Sequence, residues 1–196
     1  MAARGAHEEA DIGARGGEVT GTVSEDGRGG PRLTSEQAWH ALAKASFAVL
    51  GYVTPSGEPR SSGVVYKTVG RRLYVAVAPD SWKATHVAAS GRVAVTVPVR
   101  RGGILSLVAP IPPATISFRA TAIAYPAGSP KVRSLTKELG SLLPAERRDA
   151  ACIIEILPEG EFLTYAVGVP LRKMRDPSAA LARVRVSQEA GHARRR

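Results

Sequence analysis

The sequence predicts a mainly β (α+β) fold: an antiparallel barrel with short helices packed on it. Three observations carry this reading. Residues 47–77 contain three consecutive strand-rich segments separated only by turn-length Pro/Gly stretches. The later strand at 114–125 alternates apolar and polar residues with the period of a half-buried sheet. Helical periodicity is confined to three short stretches lying before, between and after strands. Five or six antiparallel strands interrupted in this way argue a small barrel and against a parallel α/β sheet.

The elements follow in order. Thr34 and Gln37 form a capping-box pattern ahead of Ala38, Trp39 and Leu42, which share a face, so residues 34–45 should be a helix. Residues 47–54 are rich in strand formers, and the turn 55–59 leads to a partner strand at 60–67. A turn at Gly70 and Arg71 returns the chain as the strand 72–77, completing a meander. Asp80 or Ser81 should cap a short helix through Trp82, Lys83 and Val87 that stops at Gly91. Strands at 93–97 and 114–125 come next, then a helix from Ser129 and Pro130 with Val132, Leu135 and Leu139 on one face, ending near Gly140. A last strand at 151–157, continued at 162–165, should close the sheet.

A length of 196 residues fits one ordinary domain with tails. Residues 1–33, rich in glycine and acids and poor in large apolar side chains, are expected to be a disordered leader. The domain is expected at 34–186 and a flexible basic tail at 187–196. At 44% hydrophobic and 22% charged, the composition is globular and excludes a coiled coil or collagen-like chain. A single cysteine, Cys152, excludes an internal disulfide framework and a cysteine-rich zinc site, and its apolar strand marks it as inert core. With no signal-peptide pattern and no apolar run long enough to span a bilayer, the chain is expected to be soluble and cytoplasmic.

The familiar catalytic motifs are missing: there is no GxSxG, no HExxH and no paired cysteines, and no metal site is expected. Chemistry here would be that of a bound cofactor. The most informative segment is Arg60, Ser61, Ser62, Gly63 and Val64. A glycine inside a strand permits a close ligand approach, and small hydroxylated neighbours offer donors to a flat polar ring; a twisted edge strand without a ligand is the alternative. Ser81, Trp82 and Lys83 then open a helix whose free N–H groups, dipole and lysine suit a phosphate, although Asp80 opposes an anion and Lys83 also reads as a solvated charge.

The order and spacing of 47–59, the strand through Tyr66, 73–77, Ser81–Lys83 and 92–97 resemble the pyridoxamine 5′-phosphate oxidase-like superfamily of FMN- and F420-binding split β-barrels, over residues 34–186. The resemblance implies a homodimer with the cofactor, F420 or FMN, in a groove between subunits. It makes Arg60, Ser61, Ser62, Gly63 and Val64 candidate ring or phosphate contacts, Ser81 and Lys83 phosphate ligands, and Trp82 a ring cover or packing residue. The implied activity is hydride transfer between that cofactor and a small organic substrate. The Arg-x-His element of the vitamin B6 oxidases is missing from 171–176, which argues against that particular substrate. One alternative is a non-enzymatic cofactor or haem carrier on the same barrel, which would need His40 or His86 in the groove. A nucleic-acid-binding module is suggested only by the formal charge of +10, and aromatics at 5% with no RNA-binding strand signature disfavour it.

Overall fold

The computed structural model describes residues 33–100, 113–135, 137–140, 142–143, 150–174 and 176–187. The expected leader and basic tail lie outside these residues, except Leu33, which packs on the core, and Ser187, whose N–H donates to Ser35 Oγ. The proline-rich segment at 101–112 also lies outside them.

Helix α1 (Ser35–Lys44) begins at the expected capping box: Gln37 N–H donates to Thr34 Oγ1 at 3.2 Å, and Thr34 N–H donates to Gln37 Oε1 at 2.8 Å. Its buried face is Ala38, Trp39 and Leu42. The meander follows as β1 (Phe47–Val53), β2 (Pro59–Val69) and β3 (Arg72–Val77). Helix α2 (Trp82–Ser90) is capped by Ser81, whose Oγ accepts from Ala84 N–H, and stops at Gly91, which adopts the left-handed conformation that favours glycine. Then come β4 (Arg92–Val99), β5 (Ala114–Tyr125), α3 (Pro130–Leu135), β6 (Cys152–Tyr165), α4 (Pro177–Ala180) and β7 (Leu181–Arg185).

The strand order is β3-β2-β1-β4-β5-β6-β7, all antiparallel, and β3 also pairs with β6, so six strands close into a barrel. Closure pairs the β3 edge with β6 and leaves β7 as an outer strand. The length of β6 makes the seventh strand possible: Cys152–Ile156 pairs with β3, while Glu161–Tyr165 on the same edge pairs with β7. Inside the barrel, Phe162 meets Trp39 and Phe118 edge to face, with centroids 5.3 and 5.4 Å apart, among fully buried Leu50, Val97, Ile116 and Ile154. A second apolar cluster lies under α3, where Val132, Leu135, Leu139 and Leu143 pack on Tyr74 and Ile153.

Sequence and structure differ at three places. β7 was not expected, because only Val184 of its five residues is buried and no alternation marks it. β6 is one strand rather than two pieces, running through Pro158, Glu159 and Gly160. Helix α3 ends at Leu135, with the Leu139 N–H still bonded to the Leu135 carbonyl at 2.9 Å.

Candidate functional site

The pairing of β2 with β3 runs from Val69↔Arg72 only to Tyr66↔Val75. Beyond that pair the strands part: β2 stays with β1 as far as Pro59, and β3 stays with β6 as far as Val77. The opening is a cavity of about 750 Å³, within the usual range for small-molecule sites. Gly63, Val64 and Val65 line one side, and Val75 to Pro79 the other. Leu142, Leu143, Ala150 and Ala151 form a further apolar wall. Strand edges parted in this way present backbone N–H and C=O groups that a polar ring edge satisfies.

Ser81 and Lys83 complete the lining, at the start of α2. Among the described lining residues Lys83 is the only charged side chain, and it makes no ion pair with another described residue. A helix N-terminus and an unneutralised ammonium beside apolar walls together favour an anion.

The eight sequence-predicted site residues therefore divide. Gly63, Val64, Ser81 and Lys83 line the cavity; Arg60, Ser61, Ser62 and Trp82 do not. Arg60 is exposed and pairs with Glu58 at 2.9 Å. Ser61 is exposed opposite Gly51, and Ser62 Oγ lies 3.1 Å from the Tyr52 hydroxyl. Trp82 is 77% exposed and rests against His86, which in turn meets Tyr52, at centroid distances of 5.8 and 5.6 Å. Gly63 has a packing reason of its own, since a Cβ there would sit 3.0 Å from the ring of Phe47. The Phe47 ring therefore makes a close approach of its own at this glycine. Sequence reasoning missed the β3 edge and the Leu142–Leu143 wall; the only local signal was the small-residue run from Ala76 to Pro79 after a strand.

Among the described residues no histidine lines the cavity: His40 is exposed on α1, and the Nδ1 of His86 is buried without a partner there. Cys152 is buried, and burial pushes its thiol up, as expected of inert core. No group of His, Cys, Asp or Glu suited to a metal occurs among the described residues, and no helix there is long and apolar enough to cross a membrane.

Beside this site lies a saturated charge. Glu155 of β6 is 2% exposed; its Oε1 accepts from the Tyr74 hydroxyl at 2.7 Å and from Arg72 at 2.8 Å, and its Oε2 accepts from the Tyr125 hydroxyl at 2.8 Å. Lys131 of α3 lies 3.5 Å away. Burial alone would raise this carboxyl, but the three hydrogen bonds and the Lys131 charge outweigh it and hold the group below the ordinary carboxylate range. The cluster ties β3, β5, β6 and α3 together behind the cavity wall.

No protein-family model and no curated protein matches the chain. Among solved structures, the haem storage protein HutZ of Vibrio cholerae aligns over 69% of this chain and 96% of its own, at 14% identity and a TM-score of 0.52. A heme binding protein of Mycobacterium smegmatis aligns over 66% of this chain and 52% of its own, at 14% identity and a TM-score of 0.53. The likeness shows the fold: an antiparallel α+β split barrel. General stress protein 26 of Bacillus anthracis aligns over 66% of this chain and 92% of its own, at 19% identity and a TM-score of 0.48. In this split barrel, the parting of β2 from β3 is the split that opens the cavity.

Proposed function

We propose that the cavity holds FMN or the deazaflavin F420, and that the protein is a cytoplasmic oxidoreductase acting on a small organic substrate. The observation that carries this reading is Lys83: an ammonium without a carboxylate partner among the described residues, at a helix start, beside an apolar cleft. Bound there, such a cofactor supplies hydride transfer. The chain's own residues do the rest. Lys83, Ser81 and the first N–H groups of α2 hold the phosphate. Val64, Val65, Leu142 and Leu143 cover the ring and exclude water. The free edges of β2 and β3 orient its polar rim.

The outer face of β1 and β2 carries Phe47, Val49, Val53 and Val65, between 38% and 58% exposed, with Phe47 directly opposite Val65. A second copy of the chain covering this strip gives the homodimer that the reading includes, and bears on the same β2 segment that lines the cavity. Sedimentation of the full chain checks it: a dimer that Val49→Glu converts to monomer is expected, and a monomeric wild-type chain would remove this part of the reading.

The cofactor is tested by titrating the protein with FMN and with F420 while following quenching of Trp82 and Trp39 fluorescence. Saturable binding of one is expected, with Lys83→Ala raising its dissociation constant about tenfold, near 1.4 kcal/mol. Binding of neither sinks the proposal. The haem alternative gains no support from the described lining of the cavity, which holds no histidine, and the nucleic-acid alternative none from its apolar side chains.

A further inference from the structure

On the outer face of β4, β5 and β6 lies a second groove of about 540 Å³, lined by Thr96, Ser117, Arg119, Gly160, Glu161 and Arg183 over an apolar floor. The fold breaks a regular ladder to make it. Ser117 pairs with Leu163, but Arg119 pairs with Glu159, so three residues of β6 oppose the single residue Phe118. Bulges of this kind bend a strand and re-aim side chains. At its centre Gly160 has φ +69°, and a Cβ there would lie 3.2 Å from Arg119 Nη2, so the guanidinium rests on a bare backbone.

The charges around the groove are arranged for an anion. Arg119 is exposed and has no ion pair or hydrogen bond among the described residues, although Glu159 is opposite it in register. Glu159 is instead engaged by the Thr121 hydroxyl. Glu161 faces Arg183 at 3.8 Å, a long contact between exposed groups, so neither carboxylate pairs directly with the guanidinium of Arg119. Thr96 Oγ1 and Ser117 Oγ lie 3.0 Å apart; one hydroxyl proton serves that bond and the other is free to donate outward.

We propose that this groove is a second binding site, separate from the cavity, for a small organic acid: a carboxylate or phosphate monoester on a short apolar body. The anionic head lies between Arg119 and the Thr96–Ser117 pair, and the body lies on the apolar floor. The guanidinium offers the fork of donors that either oxyanion accepts.

Calorimetry of the full chain with phenyl phosphate, benzoate and inorganic phosphate tests this. Saturable binding of at least one aromatic probe, tighter than inorganic phosphate, is expected. Preference between the two aromatic probes identifies the head group. Arg119→Ala should weaken binding tenfold or more, and Gly160→Ala, which keeps the arginine but disturbs its bed, should weaken it severalfold. Lys83→Ala should change it less than twofold. Loss in Lys83→Ala with none in Arg119→Ala assigns the probe to the cavity and overturns the proposal. So does the absence of saturable binding, or an Arg119→Ala effect confined to sedimentation, which would make the groove part of a contact between copies.

Discussion

Glu155 and Lys83 are both ionic groups beside the apolar wall that links α3 to the cavity, and the fold treats them in opposite ways. Glu155 is withdrawn from water and surrounded by two phenols, a guanidinium and an ammonium. Lys83 has no charged partner among the described residues and faces an open cavity. A buried charge whose partners all come from the chain holds the fold together, because removing it leaves those partners unsatisfied. A charge without a described partner at a cavity costs the fold little and is available to a ligand.

The largest effect should separate these two roles. Glu155→Ala is expected to destabilise the protein by about 3 kcal/mol, since it strands two tyrosine hydroxyls and two cations. Lys83→Ala should stay within about 0.5 kcal/mol of wild type. Urea unfolding checks both, and equal losses would abolish the contrast.

Acid titration sharpens it. The Glu155 carboxyl is held lower in the folded chain than in the unfolded one. Its contribution is therefore complete above the ordinary carboxylate range and is lost as pH falls through the folded value. Wild type should lose stability in that window, whereas Glu155→Gln should show a shallower fall; parallel curves would mean that other carboxylates dominate.

The smallest effect concerns the cavity wall itself. Gly63→Ala forces the Phe47 ring aside, at an expected cost of about 1 kcal/mol. In a Phe47→Leu background that cost should largely vanish. A loss unchanged in that background would show that the glycine serves the strand backbone and not the ring.

Much of the architecture was legible in local sequence. Thr34 with Gln37, Ser81 and Gly91 mark helix ends through groups only a few residues apart, and the 47–77 meander announces itself by its turns. Half of the predicted residues line the cavity, legible for the same reason: Ser81 and Lys83 start a helix that can be read directly, and Gly63 and Val64 sit in a strand that can be read directly. Arg60, Ser61 and Ser62 share that strand but lie further along it from the last β2–β3 pair, Tyr66 with Val75, than Gly63 and Val64 do. Trp82 is next to Lys83 in the chain, yet it turns towards His86.

By itself, the sequence determined the helix caps, the turn positions and the alternation that makes an antiparallel sheet, because each depends on contacts within a few residues. Tertiary structure alone decided where β2 parts from β3, that Leu142 and Leu143 wall the opening, and why Glu155 is tolerable in the interior. The donors to Glu155 include Arg72 and Tyr74, 83 and 81 residues away, and only barrel closure through β3 and β6 brings them together. The bulge at Gly160 is of the same kind: a glycine in a strand signals an irregularity, but the arginine lying on it is 41 residues earlier in the chain and is placed there by the register of β5.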